Sequence, residues 1–141
     1  MHITQKIRDS FARQTMMTTI GAEISAIQPG KVSIRVPISD GILQQHGFAH
    51  AAVCFAIGDS AAGYSALSVM PDQAEVLTAE MKINLLSPAA GDYLEATGHV
   101  IRNGKRLVVV SANVIAIDGD TRKEIAVLQG TMVPVFPDSE N

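Results

Sequence analysis

The stretch Gln44-Gln45-His46-Gly47-Phe48-Ala49-His50-Ala51-Ala52 and the apolar run that carries it to Asp59 hold the residue types best suited to chemistry. An ionised carboxylate in so apolar a segment costs several kcal/mol unless it is paired or hydrogen-bonded. A solvated Asp at a helix bend beside Gly58 and Gly63 is the plainer alternative, and the uniformly apolar neighbours speak against it. His50 and Asp59 stand nine residues apart. If both are helical they lie on opposite faces with a rise of roughly 13.5 Å between them, too far to meet within one chain. If they share a site, the second member comes from a two-fold-related subunit, and the site is then duplicated. The start of such a helix offers unpaired N–H groups and a positive dipole end. The Ala51 amide is placed to stabilise a developing oxyanion, and a carboxylate opposite it can activate water or attack directly. That pair of functions suits acyl transfer to water and requires no metal.

Other candidates are weaker. His46 and His50 have the spacing of metal ligands on one helix face, but Gly47 and the lack of a nearby acidic partner argue against a metal site. Cys54, inside the apolar run, reads as a small core hydrophobe. Gly58-Asp59-Ser60 begins a serine-hydrolase motif that fails, because residue 62 is Ala and the only later histidine, His99, falls in an expected strand. Ser60 is helix filler on this reading, and His99 a sheet-surface residue.

The elements that must position these groups follow from periodicity. Alternating apolar residues predict strands at 20–26 (Ile20, Ala22, Ile24 and Ala26 inward) and 31–38, then at 75–86, 92–102, 105–117 and 122–133. Pro29-Gly30, Asn103-Gly104 and Asp118-Gly119 mark turns between them. Residues 3–14 read as a short amphipathic helix. Residues 48–69 read as a long one that is apolar all round and so must be buried all round, with Ala and Gly letting strands approach closely. One curved antiparallel sheet wrapped around a central helix, an α+β architecture, satisfies both patterns.

Composition bounds the rest. The 141 residues suit a single domain, 1–141, with Pro137 to Asn141 as a frayed tail. Hydrophobic residues at 47% against 18% charged describe a globular chain. Eleven basic against fourteen acidic residues, with no Trp, exclude a nucleic-acid grip. One cysteine excludes an internal disulfide. The N-terminus has no apolar signal region, and the most apolar window, 49–69, is broken by His50, Asp59, Ser60, Ser65 and Ser68, so no membrane span is expected and the location is expected to be cytoplasmic.

With these residues in place the chain resembles the PaaI-like branch of the hotdog-fold acyl-CoA thioesterases, a branch associated with phenylacetate degradation. That branch carries Asn, Gly and His-Gly-Gly at the helix start and an acidic residue nine positions after the His. Gln44, Gly47, His50-Ala51-Ala52 and Asp59 stand at those spacings, and Met81 through Ser87-Pro88-Ala89 is similar to its strand leading into Ser-Pro-Ala. The resemblance covers roughly residues 15–135. It implies Asp59 as base or nucleophile, the Ala51 amide as oxyanion donor, His50 as an orienting hydrogen-bonder and Gln44 as the group placing water or substrate. Gln44 and His50-Ala51 would face Asp59 of the other subunit, with Gly47 beside the substrate. Two alanines for glycines and Gln44 for Asn bear on substrate choice and rate more than on reaction class. Thr78 falls where the family has a Ser/Thr helper. Simple alternation sets it with Val76, Glu80, Lys82 and Asn84, opposite Leu77, Ala79, Met81, Ile83 and Leu85, so it reaches Asp59 only if a bulge or the strand's start breaks the parity.

The resemblance further implies an acyl-CoA substrate, no cofactor and a homodimer, which pairs into a dimer of dimers if the odd face of strand 105–117 (Leu107, Val109, Ile115, Ile117) supplies the area. Arg102, Lys105 and Arg106 would meet coenzyme A phosphates or stay solvated. Met16, Met17, Met70 and Met81 would be core, some lining the acyl pocket. A hotdog hydratase or dehydratase and a non-catalytic acyl-CoA binder are the alternatives.

Overall fold

A computed structural model describes residues 2–137. The helices are α1 (His2–Ala12), α2 (Thr15–Ile20) and α3 (Ala51–Leu67); the strands are β1 (Glu23–Gln28), β2 (Lys31–Pro37), β3 (Glu75–Leu85), β4 (Tyr93–Asn103), β5 (Val108–Asp118) and β6 (Thr121–Val135). The strands form one antiparallel sheet in the order β1-β2-β4-β5-β6-β3, so β1 and β3 are its edges. α3 lies in the hollow of the curved sheet and touches β2 through β6.

The sheet's inner face is aliphatic: Val32, Ile34 and Val36 of β2, Leu94 of β4, Val110 and Val114 of β5 and Met132 of β6 are fully buried against Ile57, Ala61 and Leu67 of α3. Each large aliphatic side chain so buried contributes roughly 1.5–3 kcal/mol. Small residues set the spacing. A Cβ on Gly98 of β4 would collide with the Ala61 backbone, so strand and helix meet almost backbone to backbone. Gly58 and Gly63 do not interrupt α3; a Cβ on Gly58 would come within 2.9 Å of the Leu128 side chain, so its absence makes room there.

Several boundaries differ from expectation. The strand read from Ile20 begins only at Glu23, because 15–20 forms α2, which Gly21 ends in the left-handed region (φ 81°). There Gly21 and Ala22 donate to Thr18 and Met17 carbonyls at 3.1 and 2.9 Å, closing the helix. In β1 the register slips between Ile24 and Ala26, so Ile24 and Ile27 pack inward and Ala26 is exposed. The Pro29-Gly30 hairpin is a two-residue loop between Gln28 and Lys31. At Asn103-Gly104 the loop instead has four residues, since Asn103 pairs with Val108, and β5 starts later than expected. Near Asp118 the loop is Gly119-Asp120, between the paired Asp118 and Thr121.

The outward face of β5 is not an apolar stripe. Ser111 and Asn113 interrupt it, and Ile117 is 4% exposed, set between its ladder partners Tyr93 and Arg122. Met16 is exposed, whereas Met17 and Met70 are buried. Of the expected tail, Pro137 is exposed and irregular, and 138–141 lie outside the described residues. Among the described residues no helix is long and apolar enough to cross a membrane.

Candidate functional site

The N-terminus of α3 is built by the loop before it. The Gln44 Oε1 accepts from the His46 and Phe48 amides at 2.6 and 3.2 Å, and the Gln44 amide donates to the Phe48 carbonyl at 2.8 Å. This tight turn needs Gly47, whose φ of 87° suits glycine alone; nothing stands within 4 Å of where its Cβ would be. Leu43 and Ala49 then bridge, and His50 becomes the N-cap. Its Nδ1 accepts from the Ala52 amide at 2.9 Å, which puts the proton of the neutral ring on Nε2. The Ala51 amide is exposed and meets no acceptor among the described residues. Because Gln44 spends its carbonyl on the turn, only its Nε2 remains to meet a substrate or a water. These groups line a cavity of about 520 Å³ whose other wall is Leu85, Leu86 and Pro88.

Cys54 also lies on this wall, 1% exposed. Burial pushes its thiol up to about 11, which leaves it un-ionised near neutral pH.

The second group forms elsewhere. Asp59 is half-buried on α3, and Thr78 of β3 donates from Oγ1 to its Oδ1 at 2.7 Å. Simple alternation would not allow this contact. The register between β3 and β6 slips between Thr78 and Glu80, so Ala79 is a bulge. Before it, Thr78 faces α3 while Leu77 is 57% exposed; after it, Met81 and Ile83 pack inward. Gly130 on β6 makes room for the bulge, since a Cβ there would strike the Glu80 carbonyl. Burial raises the Asp59 carboxyl above its ordinary 3.8, and the Thr78 hydrogen bond opposes that in part. A cavity of about 260 Å³ opens beside the pair.

His50 and Asp59 therefore do not meet within the chain: the two cavities share no lining residue. Asn103, Val108, Met132 and Thr78 lie on one row across four strands. That row sets the tip carrying exposed Arg102, Lys105 and Arg106 about 15 Å from Thr78, three strand spacings away. His99 is on the outward face, paired with Lys31 and Ser111.

Three residues at the Asp59 cavity escape a sequence reading. Tyr64 on α3 receives a hydrogen bond from Gln14 Nε2 at 2.8 Å and shares one with Ser10 at 3.0 Å. Ser10 and Gln14 flank the junction of α1 and α2, and only the unforeseen α2 fixes where they point. Gly130, alone in a strand pattern, is itself a signal for the bulge.

Known proteins resemble this chain in sequence and in fold. Residues 46–123 match the model of the thioesterase superfamily. A thioesterase family protein from Silicibacter pomeroyi is 40% identical, with TM-score 0.93 over 95% of this chain and 98% of that one. The 1,4-dihydroxy-2-naphthoyl-CoA hydrolase of Listeria monocytogenes is 27% identical over 118 residues, 83% of this chain and 93% of that protein. The E. coli PaaI protein of the phenylacetic acid degradation operon, 21% identical with TM-score 0.84 over 94% of this chain and 93% of that one, shares the hotdog fold.

Proposed function

The chain belongs to the thioesterase superfamily, and from that premise we propose that it hydrolyses acyl-CoA thioesters to a free acid and coenzyme A at a site shared between two subunits. The observation that carries this is the half-buried Asp59 carboxylate, held by Thr78 at the side of an open cavity and paired with no cation among the described residues. Such a group is anchored in orientation and kept more basic than a solvated carboxylate.

The other half of the machinery comes from a second copy. β3 is an edge strand, and Leu77, Leu85 and Leu86 at its two ends are 57%, 55% and 53% exposed. Antiparallel pairing of β3 with its two-fold mate sets the Thr78 end of one strand opposite the Leu85 end of the other. Leu85 and Leu86 wall the cavity of His50 and Ala51. Asp59 of one subunit thereby faces the α3 N-terminus of its partner.

The thioester carbonyl oxygen takes the Ala51 amide, beside the Nε2–H of His50 and the Nε2 of Gln44, with Gly47 keeping the loop open. Asp59 accepts a proton from water as the water oxygen bonds to the carbonyl carbon. The tetrahedral oxyanion is held by the Ala51 N–H at the positive end of the helix. Its collapse breaks the C–S bond and releases the thiolate, which recovers the proton from Asp59. If Asp59 attacks directly, the C–S bond breaks and the thiolate leaves as an acyl–Asp59 anhydride forms. Water then cleaves the anhydride and supplies the proton that the thiolate takes up. Where it attacks the Asp59 carbonyl, ¹⁸O from water stays in Asp59 after one turnover, which the general-base route does not give. Arg102, Lys105 and Arg106 offer charge to the phosphates of coenzyme A.

The test is release of free thiol from a panel of acyl-CoAs, with enoyl-CoA absorbance followed in parallel. Asp59→Asn is expected to lower kcat by about 10²–10⁴-fold with substrate still bound. Unchanged turnover in that variant would remove Asp59 from the mechanism.

A further inference from the structure

The Asp59 cavity has a built polar end. Tyr64, 4% exposed, is gripped by Gln14 Nε2 at 2.8 Å and Ser10 Oγ at 3.0 Å, and Gln14 Nε2 also points to Ser60 Oγ at 3.5 Å. With both amide hydrogens directed to these oxygens, Oε1 is the free atom of Gln14, a side chain that lines the cavity. Tyr64 follows Asp59 by five residues, so this end lies about 7.5 Å further along the α3 axis, the length of a chain of about six carbons. An enclosed apolar cavity of about 150 Å³ suffices for benzene. The roughly 260 Å³ here admits a short chain or a single ring together with a substituent.

We propose that Gln14, held in place by Tyr64, is a specificity-determining residue that selects acyl groups bearing a hydroxyl at the end remote from the thioester. The proposal rests on the thioesterase reading above, with the acyl part in the Asp59 cavity. A hydroxyl donates to the Gln14 Oε1; an oxo group has no hydrogen to give. A terminal carboxylate is rejected, because Asp59 and Glu75 already line the cavity and Lys6, the cation paired with Glu75 at 3.7 Å, is also held by the Asp72 and Ala74 carbonyls. An unsubstituted chain leaves the polar end unpaired.

The experiment compares kcat/KM of the full chain for hexanoyl-CoA, 6-hydroxyhexanoyl-CoA and adipoyl-CoA, with calorimetric Kd values for the same three. The hydroxylated substrate is expected to lead hexanoyl-CoA by about fivefold or more, with adipoyl-CoA last. Gln14→Leu brings the ratio of the first two to about one, and Tyr64→Phe, which keeps the ring and frees Gln14, lowers it part of the way. Loss of fold would depress both substrates alike and leave the ratio, which is what reads the hydrogen bond. A wild-type ratio of one or below, or a ratio that survives Gln14→Leu, overturns the proposal. If no thiol is released from any of the three, the thioesterase reading fails instead. The Kd values then still decide this one: tighter binding of 6-hydroxyhexanoyl-CoA sustains it, and equal binding overturns it.

Discussion

At the scale of single residues, the Asp59 carboxyl sits where burial and a hydrogen bond act against each other. Burial, the larger effect, raises its pKa above 3.8, and the Thr78 hydroxyl pulls it back. A base or nucleophile works only when ionised, so kcat/KM should rise with pH along a limb above the ordinary carboxylate value. In Thr78→Val the opposing bond is gone and burial acts alone, so that limb should move to higher pH; a pH profile of both proteins measures it, and an unmoved limb would mean that another group titrates. Ala51 offers a cleaner deletion. It is the first residue of α3, where proline is tolerated, and His50 before it already has the extended ψ of 141° that a following proline demands. Ala51→Pro should therefore keep the wild-type Tm within a few degrees while kcat falls about 10²–10³-fold, the usual loss of one oxyanion donor. Asp59 was legible because a carboxylate stands out in an apolar run. Gln14 was not, since a glutamine between two short helices differs in no way from a solvated one until Tyr64 is placed beside it.

The same contrast holds for whole elements. Helix α3 could be read because a run of that length is apolar all round, and the strands from β2 onward because apolar residues alternate along them. The small residues of α3 announced how closely the sheet would lie. What failed were the irregularities. The α2 helix is six residues long, too short for its period to separate from a strand's alternation, and Gly21 closes it where a strand had been expected. The bulge at Ala79 cannot be counted along β3 at all, because it is decided by the facing strand, where Gly130 leaves room for the Glu80 carbonyl. A consequence can be tested far from any reacting atom. Gly130→Val fills that space, so the bulge must shift and Thr78 must turn away from Asp59. Stability should drop by about 1–3 kcal/mol in urea unfolding. The pH limb of the surviving activity should move in the same direction as in Thr78→Val. A limb left at the wild-type position would show that the bulge survives without its glycine.

For the whole molecule the decisive feature is that one chain holds the two groups of the proposed chemistry in separate cavities. The amide end of α3 and the Asp59 cavity share no lining residue, so under the proposed mechanism a catalytic unit takes two copies, each giving what the other lacks. This makes a prediction that no single-chain mechanism can imitate. Ala51→Pro removes the donor half and Asp59→Asn the acidic half, so each protein alone should be nearly inactive. In a mixed dimer one site inherits both lesions, while the other combines an intact Asp59 with an intact Ala51 amide. Random exchange of equal amounts makes half the dimers mixed, with half of their sites restored, so activity should recover to roughly a quarter of wild type. Unfolding the two variants together in urea and refolding them, against the same treatment of each alone, measures the recovery. Activity no greater than the sum of the separate variants would place both halves of the chemistry within one subunit and exclude the shared site.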